Sequence, residues 1–331
     1  MVLVGSNAES VNLSKVALVT GATGFIGRHL VESLLEKNYV VRIYTTRPES
    51  EIRANFGDKV SCFFGQYFDQ EKLIAACQGV DVVFHLAGPA HSIAGRTKES
   101  NSGHLTAVTN TYRASVFSKV NTFVYFSSIL AAAPSISSYA CDKRASEEFL
   151  MSFSSGEVKT RVVILRPATV YGPGMKGNLI TYIRLIKWRL IPALPDLSAR
   201  FPMVSVKDLC RVSIDAARSC QDHADTHLFN VSDGQDYTPV RIENAILKQL
   251  GRGKPFFKMS RHLLFLGACL AQLASSSGAW KNRAGLGLYR NLLSNRTITS
   301  ETDNLNYQFI PIATFESELP DIISELQRRK L

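Results

Sequence analysis

No Cys-x-x-Cys pair occurs in the 331 residues, and Cys62, Cys77, Cys141, Cys210, Cys220 and Cys269 have no histidine companions at ligand spacing. A zinc site and a disulfide framework are thereby disfavoured, no metal is expected, and the cysteines read as free thiols. The start of the chain lacks the basic and apolar segments of a secretory signal; residues 1–13 are polar and aperiodic, and read as a loose leader on a cytoplasmic protein. No apolar run reaches the roughly 20 residues that a membrane-crossing helix needs. The strongest, within residues 262–273, reads first as a core helix, with an interfacial membrane contact as the alternative. Internal repeats are absent. So is any stripe of interleaved aromatic and basic residues, so nucleic acid is not an expected partner.

What the chain does have is apolar mass. At 45% hydrophobic residues it suits one sizeable α/β domain with a smaller appended lobe. The formal charge of +10 suits an anionic ligand, but solubility or a membrane surface would account for it equally. The basic residues are scattered apart from Arg328, Arg329 and Lys330.

The organising stretch is Lys15-Val-Ala-Leu-Val-Thr-Gly-Ala-Thr-Gly-Phe-Ile-Gly-Arg-His-Leu30. Its first half is a continuous apolar run of buried-strand type; its second has apolar residues at helical spacing, Phe25, Ile26, Leu30, Leu34 and Leu35. Between them Gly21 permits a sharp turn, Gly24 permits close approach of backbone to a pyrophosphate, and Gly27 lets helix lie on strand. The phosphates would meet a helix N-terminus, where unpaired N–H groups favour negative charge. A second strand over 39–45 ends in Thr45-Thr46-Arg47. These are two hydroxyls and a guanidinium where NAD-specific sites carry an acid, which favours NADP over NAD. The other reading of Arg47 is a solvated loop residue, or one stacking on adenine with either cofactor.

Further strands are expected at 60–64, 80–88, 122–128 and 160–166, with helices at 70–77 and 104–118, an alternation that predicts a parallel sheet with right-handed crossovers. His85, closing a strand, reads as a packed core residue. Tyr139 and Lys143, four apart, fall on one face of a predicted helix downstream of a strand that ends in Ser127 and Ser128. A phenol with an ordinary pKa of about 10 is a poor base near neutrality, and an adjacent ammonium would favour its phenolate. Tyr139 is therefore the expected acid/base, Lys143 its electrostatic partner, and Ser128 the donor to a substrate oxygen; Ser127 is the alternative serine, expected beside the substrate. A surface Tyr and Lys on an amphipathic helix is the competing reading.

Thr-Gly-Ala-Thr-Gly-Phe-Ile-Gly27 with Tyr139-x-x-x-Lys143 and Arg166-Pro-Ala-Thr-Val-Tyr-Gly-Pro173 resembles the extended short-chain dehydrogenase/reductase family, also called the NAD-dependent epimerase/dehydratase family. The resemblance covers roughly residues 14 to 320. It implies a Rossmann-type doubly wound parallel sheet, α/β in class, with a smaller C-terminal substrate lobe. The division would be 14–174 for the dinucleotide-binding domain, with 200–226 returning to it, and 175–199 and 227–331 for the lobe. By the same resemblance the cofactor lies along Gly21, Thr23, Gly24, Phe25, Ile26 and Gly27, along Leu86, Ala87 and Gly88, and along Pro167, Ala168 and Val170, with Tyr139 and Lys143 facing the nicotinamide end. Relatives are often dimers, so a homodimer is expected.

The chain departs from the family in places. His104-Leu-Thr-Ala-Val-Thr-Asn110 keeps only the last asparagine of Asn-Val-x-Gly-Thr-x-Asn, and Phe201 stands where relatives carry a second arginine after the position of Arg200. Asn178, in a Gly-Asn-Leu segment, and Arg200 are the expected contacts to a nucleotide-sugar diphosphate; the other reading of Asn178 is an N-cap. The implied activity is that of a UDP-sugar 4-epimerase or 4-reductase. The alternatives are a sterol or lipid alcohol dehydrogenase of the same family and a non-catalytic dinucleotide-binding module.

Overall fold

A computed structural model describes residues 14–88, 98–153, 160–190, 193, 195, 197, 199–219, 226–253, 259–274, 289 and 309–328. The expected leader and Cys220 lie outside them. The strands are β1 (Val16–Thr20), β2 (Val40–Thr45), β3 (Ser61–Phe64), β4 (Val82–His85), β5 (Thr122–Phe126), β6 (Arg161–Pro167), β7 (Thr169–Tyr171), β8 (Phe201–Ser205), β9 (Thr226–Val231) and β10 (Asp236–Tyr237). The helices are α1 (Phe25–Glu36), α2 (Glu49–Phe56), α3 (Gln70–Cys77), α4 (Lys98–Phe117), α5 (Ser138–Met151), α6 (Asn178–Lys187), α7 (Val206–Ser219), α8 (Pro239–Gln249), α9 (Arg261–Ala274) and α10 (Phe315–Arg328).

Seven strands form a parallel sheet in the order β3-β2-β1-β4-β5-β6-β9, the expected α/β Rossmann-like architecture. The continuous apolar run of β1 is explained by cover on both faces. Ala17 and Val19 point into a layer with Leu30 and Leu34 of α1 and Leu209 of α7, whereas Leu18 points the other way, among Tyr44, Val83 and Phe123. Strand order reverses at β1, between β2 and β4, so a crevice opens beyond the C-terminal ends of these strands.

At Ala168 the chain leaves this sheet, its N–H donating to Val231 O at 2.9 Å, and β7 instead joins a small sheet of order β10-β8-β7. Behind it lies a separate core that includes Tyr171, Ile183, Met203, Tyr237, Ile246 and Phe315. Two boundaries differ from the sequence reading. β9 pairs with β6 as far as Val231, so residues 227–231 belong to the large sheet; β8, expected to return there, pairs with β7 and β10. Strands this short carry no pattern that distinguishes the two sheets; pairing partners decide it.

The apolar helix α9 also departs from its first reading. Leu264 packs against the lobe's core, but Leu263, Phe265, Leu266 and Leu270 are exposed, so it is not a core helix.

Candidate active site

The glycine turn is built as its residues require. Gly21 has φ +71°, and a Cβ there would lie 2.8 Å from Leu86 C, which places the end of β4 directly against the turn. A Cβ on Gly27 would lie 2.3 Å from Gly21 O and 2.8 Å from Ala22 Cα, so only glycine lets α1 start this close to β1. Gly24 is the N-cap of α1 and offers no side-chain cap, and the first turn has no acid. The N–H groups at Phe25 and Ile26, which have no acceptor within the helix, are thus left to an anion. Ala87 N–H donates to Thr20 Oγ1 at 3.2 Å, fixing the Leu86–Gly88 segment alongside the turn. The residues present therefore fit a dinucleotide. At the expected ribose end Thr45 is buried and its Oγ1 accepts the Arg47 N–H at 3.0 Å, while Thr46 and Arg47 are exposed. Glu49 is engaged by Arg53 at 2.7 Å.

The crevice also receives the N-terminus of α5. Ser137 caps this helix by accepting Ala140 N–H at 3.1 Å, which sets Tyr139 in the first turn and Lys143 one turn deeper. Ser128 Oγ accepts Leu130 N–H at 3.2 Å, leaving its own proton to hydrogen-bond the Tyr139 phenol. Lys143 Nζ donates to Phe126 O at 2.6 Å and lies 5.8 Å from the centre of the Tyr139 ring and 4.8 Å from that of Tyr125. The structure thus brings Ser128, Tyr139 and Lys143 together beyond β5. Burial pushes the Tyr139 phenol up to about 12 against the opposing Ser128 hydrogen bond. Burial likewise holds the Lys143 ammonium down to about 7, although Glu147 and Asp142 favour its charge. The phenol is accordingly protonated near neutrality, and the lysine carries a charge that fades as pH rises through 7.

Ser127 has a different place. Its hydroxyl donates to Glu147 Oε1, and Glu147 also takes Arg166 through Nε at 2.9 Å and Nη2 at 2.6 Å, all three residues being buried. It is a member of a buried network that fastens α5 to β6, which corrects its expected place beside the substrate. His85 is packed as expected. Its Nδ1 is 3.0 Å from Thr20 Oγ1, its ring stacks on Phe123, and burial holds the imidazole down to about 3.

Sequence reading missed His104 and Tyr125. His104 Nε2 hydrogen-bonds Tyr125 OH at 3.0 Å, and a Cβ on Gly88 would lie 2.3 Å from His104 Nδ1. The imidazole, at the position of the family's first asparagine, therefore fills the space behind Gly88 and buttresses the ring over which Lys143 lies. The missing glycine side chain and the substituted asparagine were both visible in the sequence, but three elements must be assembled before they meet.

On the lobe side the backbone of Asn178 opens α6, but the N-cap is Gly177, with φ +98° and no side-chain bond, so the capping reading of Asn178 is not met. The Asn178 side chain lies outside the described residues. Arg200 is exposed and pairs with the exposed Asp236 at 3.1 Å, while Phe201 packs against the lobe's core. Asp208 is buried and accepts the N–H groups of Ile312 and Ala313, both at 3.0 Å, tying α7 to the chain before α10. Among the described residues no group of three or more His, Cys, Asp or Glu side chains could hold a metal ion.

A sequence model of the NAD dependent epimerase/dehydratase family matches residues 17–232. A ceramide reductase of Caulobacter vibrioides is 29% identical over 196 residues, 58% of this chain and 58% of that protein. A UDP-glucose 4-epimerase of Vibrio cholerae is 28% identical over 255 residues, covering 70% of this chain and 74% of the relative. Among solved structures, MoeE5 in complex with UDP-glucose and NAD superposes with a TM-score of 0.68 at 21% identity, covering 95% of this chain and 99% of that one.

Proposed function

The chain belongs to the NAD-dependent epimerase/dehydratase family, and from that premise we propose that this enzyme moves a hydride at a hydroxyl or ketone of a nucleotide-linked sugar, as a UDP-sugar 4-epimerase or 4-reductase does. The observation that carries the reading is the convergence of Ser128, Tyr139 and Lys143 beyond β5, in the crevice that the Gly21 turn also faces.

When bound, NAD(P) supplies the hydride acceptor and donor. The N–H groups at the start of α1 would hold its pyrophosphate, and Lys143, lying between Phe126 O and the Tyr139 ring, would turn its remaining N–H bonds to the nicotinamide ribose. Ser128 donates its hydroxyl hydrogen to the reacting substrate oxygen, and Tyr139 gives a proton to that oxygen in reduction or takes one from it in oxidation. The resting phenol, protonated near neutrality, is in the form that gives the proton in reduction. Thr46 and Arg47, exposed beyond β2 with no acid between them, favour NADP over NAD. On the substrate side the backbone at the start of α6 and the Arg200 guanidinium are the proposed diphosphate contacts.

A second reading, a lipid alcohol or ketone as substrate, is favoured by one feature. Phe201 is packed into the lobe and contributes no cation, leaving Arg200 alone and already paired with Asp236. The ceramide reductase similarity fits it.

Incubation with UDP-glucose or UDP-N-acetylglucosamine and NAD, and separately with a UDP-4-keto sugar and NADPH, tests the proposal, products being separated by anion-exchange chromatography. A C4 epimer, or stoichiometric oxidation of NADPH by the 4-keto sugar, is expected. Conversion of a long-chain lipid ketone but of no UDP-sugar would replace this reading by the second.

A further inference from the structure

We propose that α9 and the chain after α6 form a surface that lies on an anionic lipid bilayer. The helix is apolar on two sides. Leu264 faces the lobe's core, and Leu263, Leu266 and Leu270, spaced three and four apart, form an outward stripe in which the side chains are 53%, 54% and 58% exposed. Phe265 flanks the stripe, at 47%. The exposed Trp188 and Leu190, just past α6, belong to the same region, because Met259 N–H donates to Ala193 O at 2.8 Å and Arg252 reaches the carbonyls of Ile186 and Lys187. Exposed apolar side chains gathered in one region in this way mark an interaction surface.

Charge identifies the occupant. Residues 244–300 contain nine Lys and Arg and no Asp or Glu, whereas the other 274 residues carry 29 cations against 28 acids, so nearly all of the formal charge of +10 lies in this stretch. Counting cations alone made them look scattered; the absence of acids is what gives this stretch its net charge. Arg189, between Trp188 and Leu190, and Arg261, at the start of α9, are exposed beside the apolar side chains. An apolar helix lying flat with a basic surround binds anionic lipid through both terms, and an exposed tryptophan suits the headgroup level. No described helix is long and apolar enough to cross a membrane, so the contact is interfacial. A second copy docking on this face would bring the exposed Arg189 and Arg261 of both copies together, which is unfavourable.

This inference does not depend on the proposed substrate, and its test reads no turnover. Full-length protein is sedimented with vesicles of phosphatidylcholine alone or with about 30% phosphatidylglycerol. Binding to the anionic vesicles is expected to be at least about tenfold tighter and to weaken between about 0.1 and 0.5 M salt. The double variant Leu266→Asp/Leu270→Asp, and separately Trp188→Ser, should lose about tenfold or more while dinucleotide affinity and the thermal transition stay unchanged. Equal binding to both vesicle types would overturn the proposal, as would wild-type vesicle binding by the double variant. So would a lipid-free dimer in light scattering that the double variant splits, because the face would then be a self-interface.

Discussion

Replacing Lys143 by Met removes the cation beside Tyr139 while keeping most of the side chain's bulk. With Nζ 5.8 Å from the Tyr139 ring centre, a unit charge interacts with the phenolate by about 3 kcal/mol at an effective dielectric of about 20, roughly two pKa units. The charge is present in full below the Lys143 value of about 7 and lost above it. The phenol, pushed up to about 12 by burial, is therefore drawn back down while the lysine is charged. In the oxidative direction, which uses the phenolate, wild type should exceed Lys143→Met by about 100-fold at pH 6 and by only about 2-fold at pH 9. The wild-type rate climbs up to pH 7 and then flattens, because a proton lost from the lysine removes the cation that favoured the phenolate. The variant keeps climbing about tenfold per pH unit. The measurement is kcat/KM for oxidation at saturating cofactor across pH 6 to 9, with cofactor affinity measured separately to isolate the loss of a ribose contact. A gap that stays constant over this range, or that is absent at pH 6, would refute the electrostatic role.

Four further variants have outcomes set by the same geometry. Glu147→Gln leaves the buried Arg166 cation without its carboxylate and should cost about 3–5 kcal/mol in urea unfolding. Ser127→Ala should lower stability by about 1–3 kcal/mol by removing a donor to Glu147, with turnover nearly unchanged. Ser128→Ala should do the opposite, reducing turnover by about 10- to 100-fold at nearly constant stability. Gly27→Ala drives a Cβ into Gly21 O and Ala22 Cα. Overpacking of about 1–3 kcal/mol should appear in the unfolding midpoint and as weaker NADPH binding in a fluorescence titration.

The large sheet and the glycine turn were legible because they rest on local signals: apolar runs such as Val16–Thr20, glycines at fixed offsets, and Tyr139 and Lys143 on one turn of helix. Long-range pairing was not. Nothing within Thr226–Val231 says that it adds to β6, and nothing within Phe201–Ser205 says that it leaves the large sheet for β7 and β10. Ser127 and Ser128 are equivalent as sequence, since both directly follow β5. Glu147 and Arg166 separate them, by giving one hydroxyl an acceptor from the interior and leaving the other with Tyr139. His104 shows the same limit: its substitution is plain in the sequence, but its role depends on Gly88, just after β4, and Tyr125, on β5. The apolar character of α9 was equally plain, and only its surroundings show that half of it is uncovered.

The central claim is that the Tyr139 phenol carries the proton in the hydride step. Tyr139→Phe tests it most directly, assayed for single-turnover conversion of substrate beside a dinucleotide titration. The phenol's loss should reduce the chemical step by about 100- to 10,000-fold while NAD(P)(H) affinity, set mainly at the glycine turn, changes little. Turnover within about twofold of wild type, with dinucleotide bound normally, would contradict the account, because proton transfer by a positioned side chain is worth far more than that.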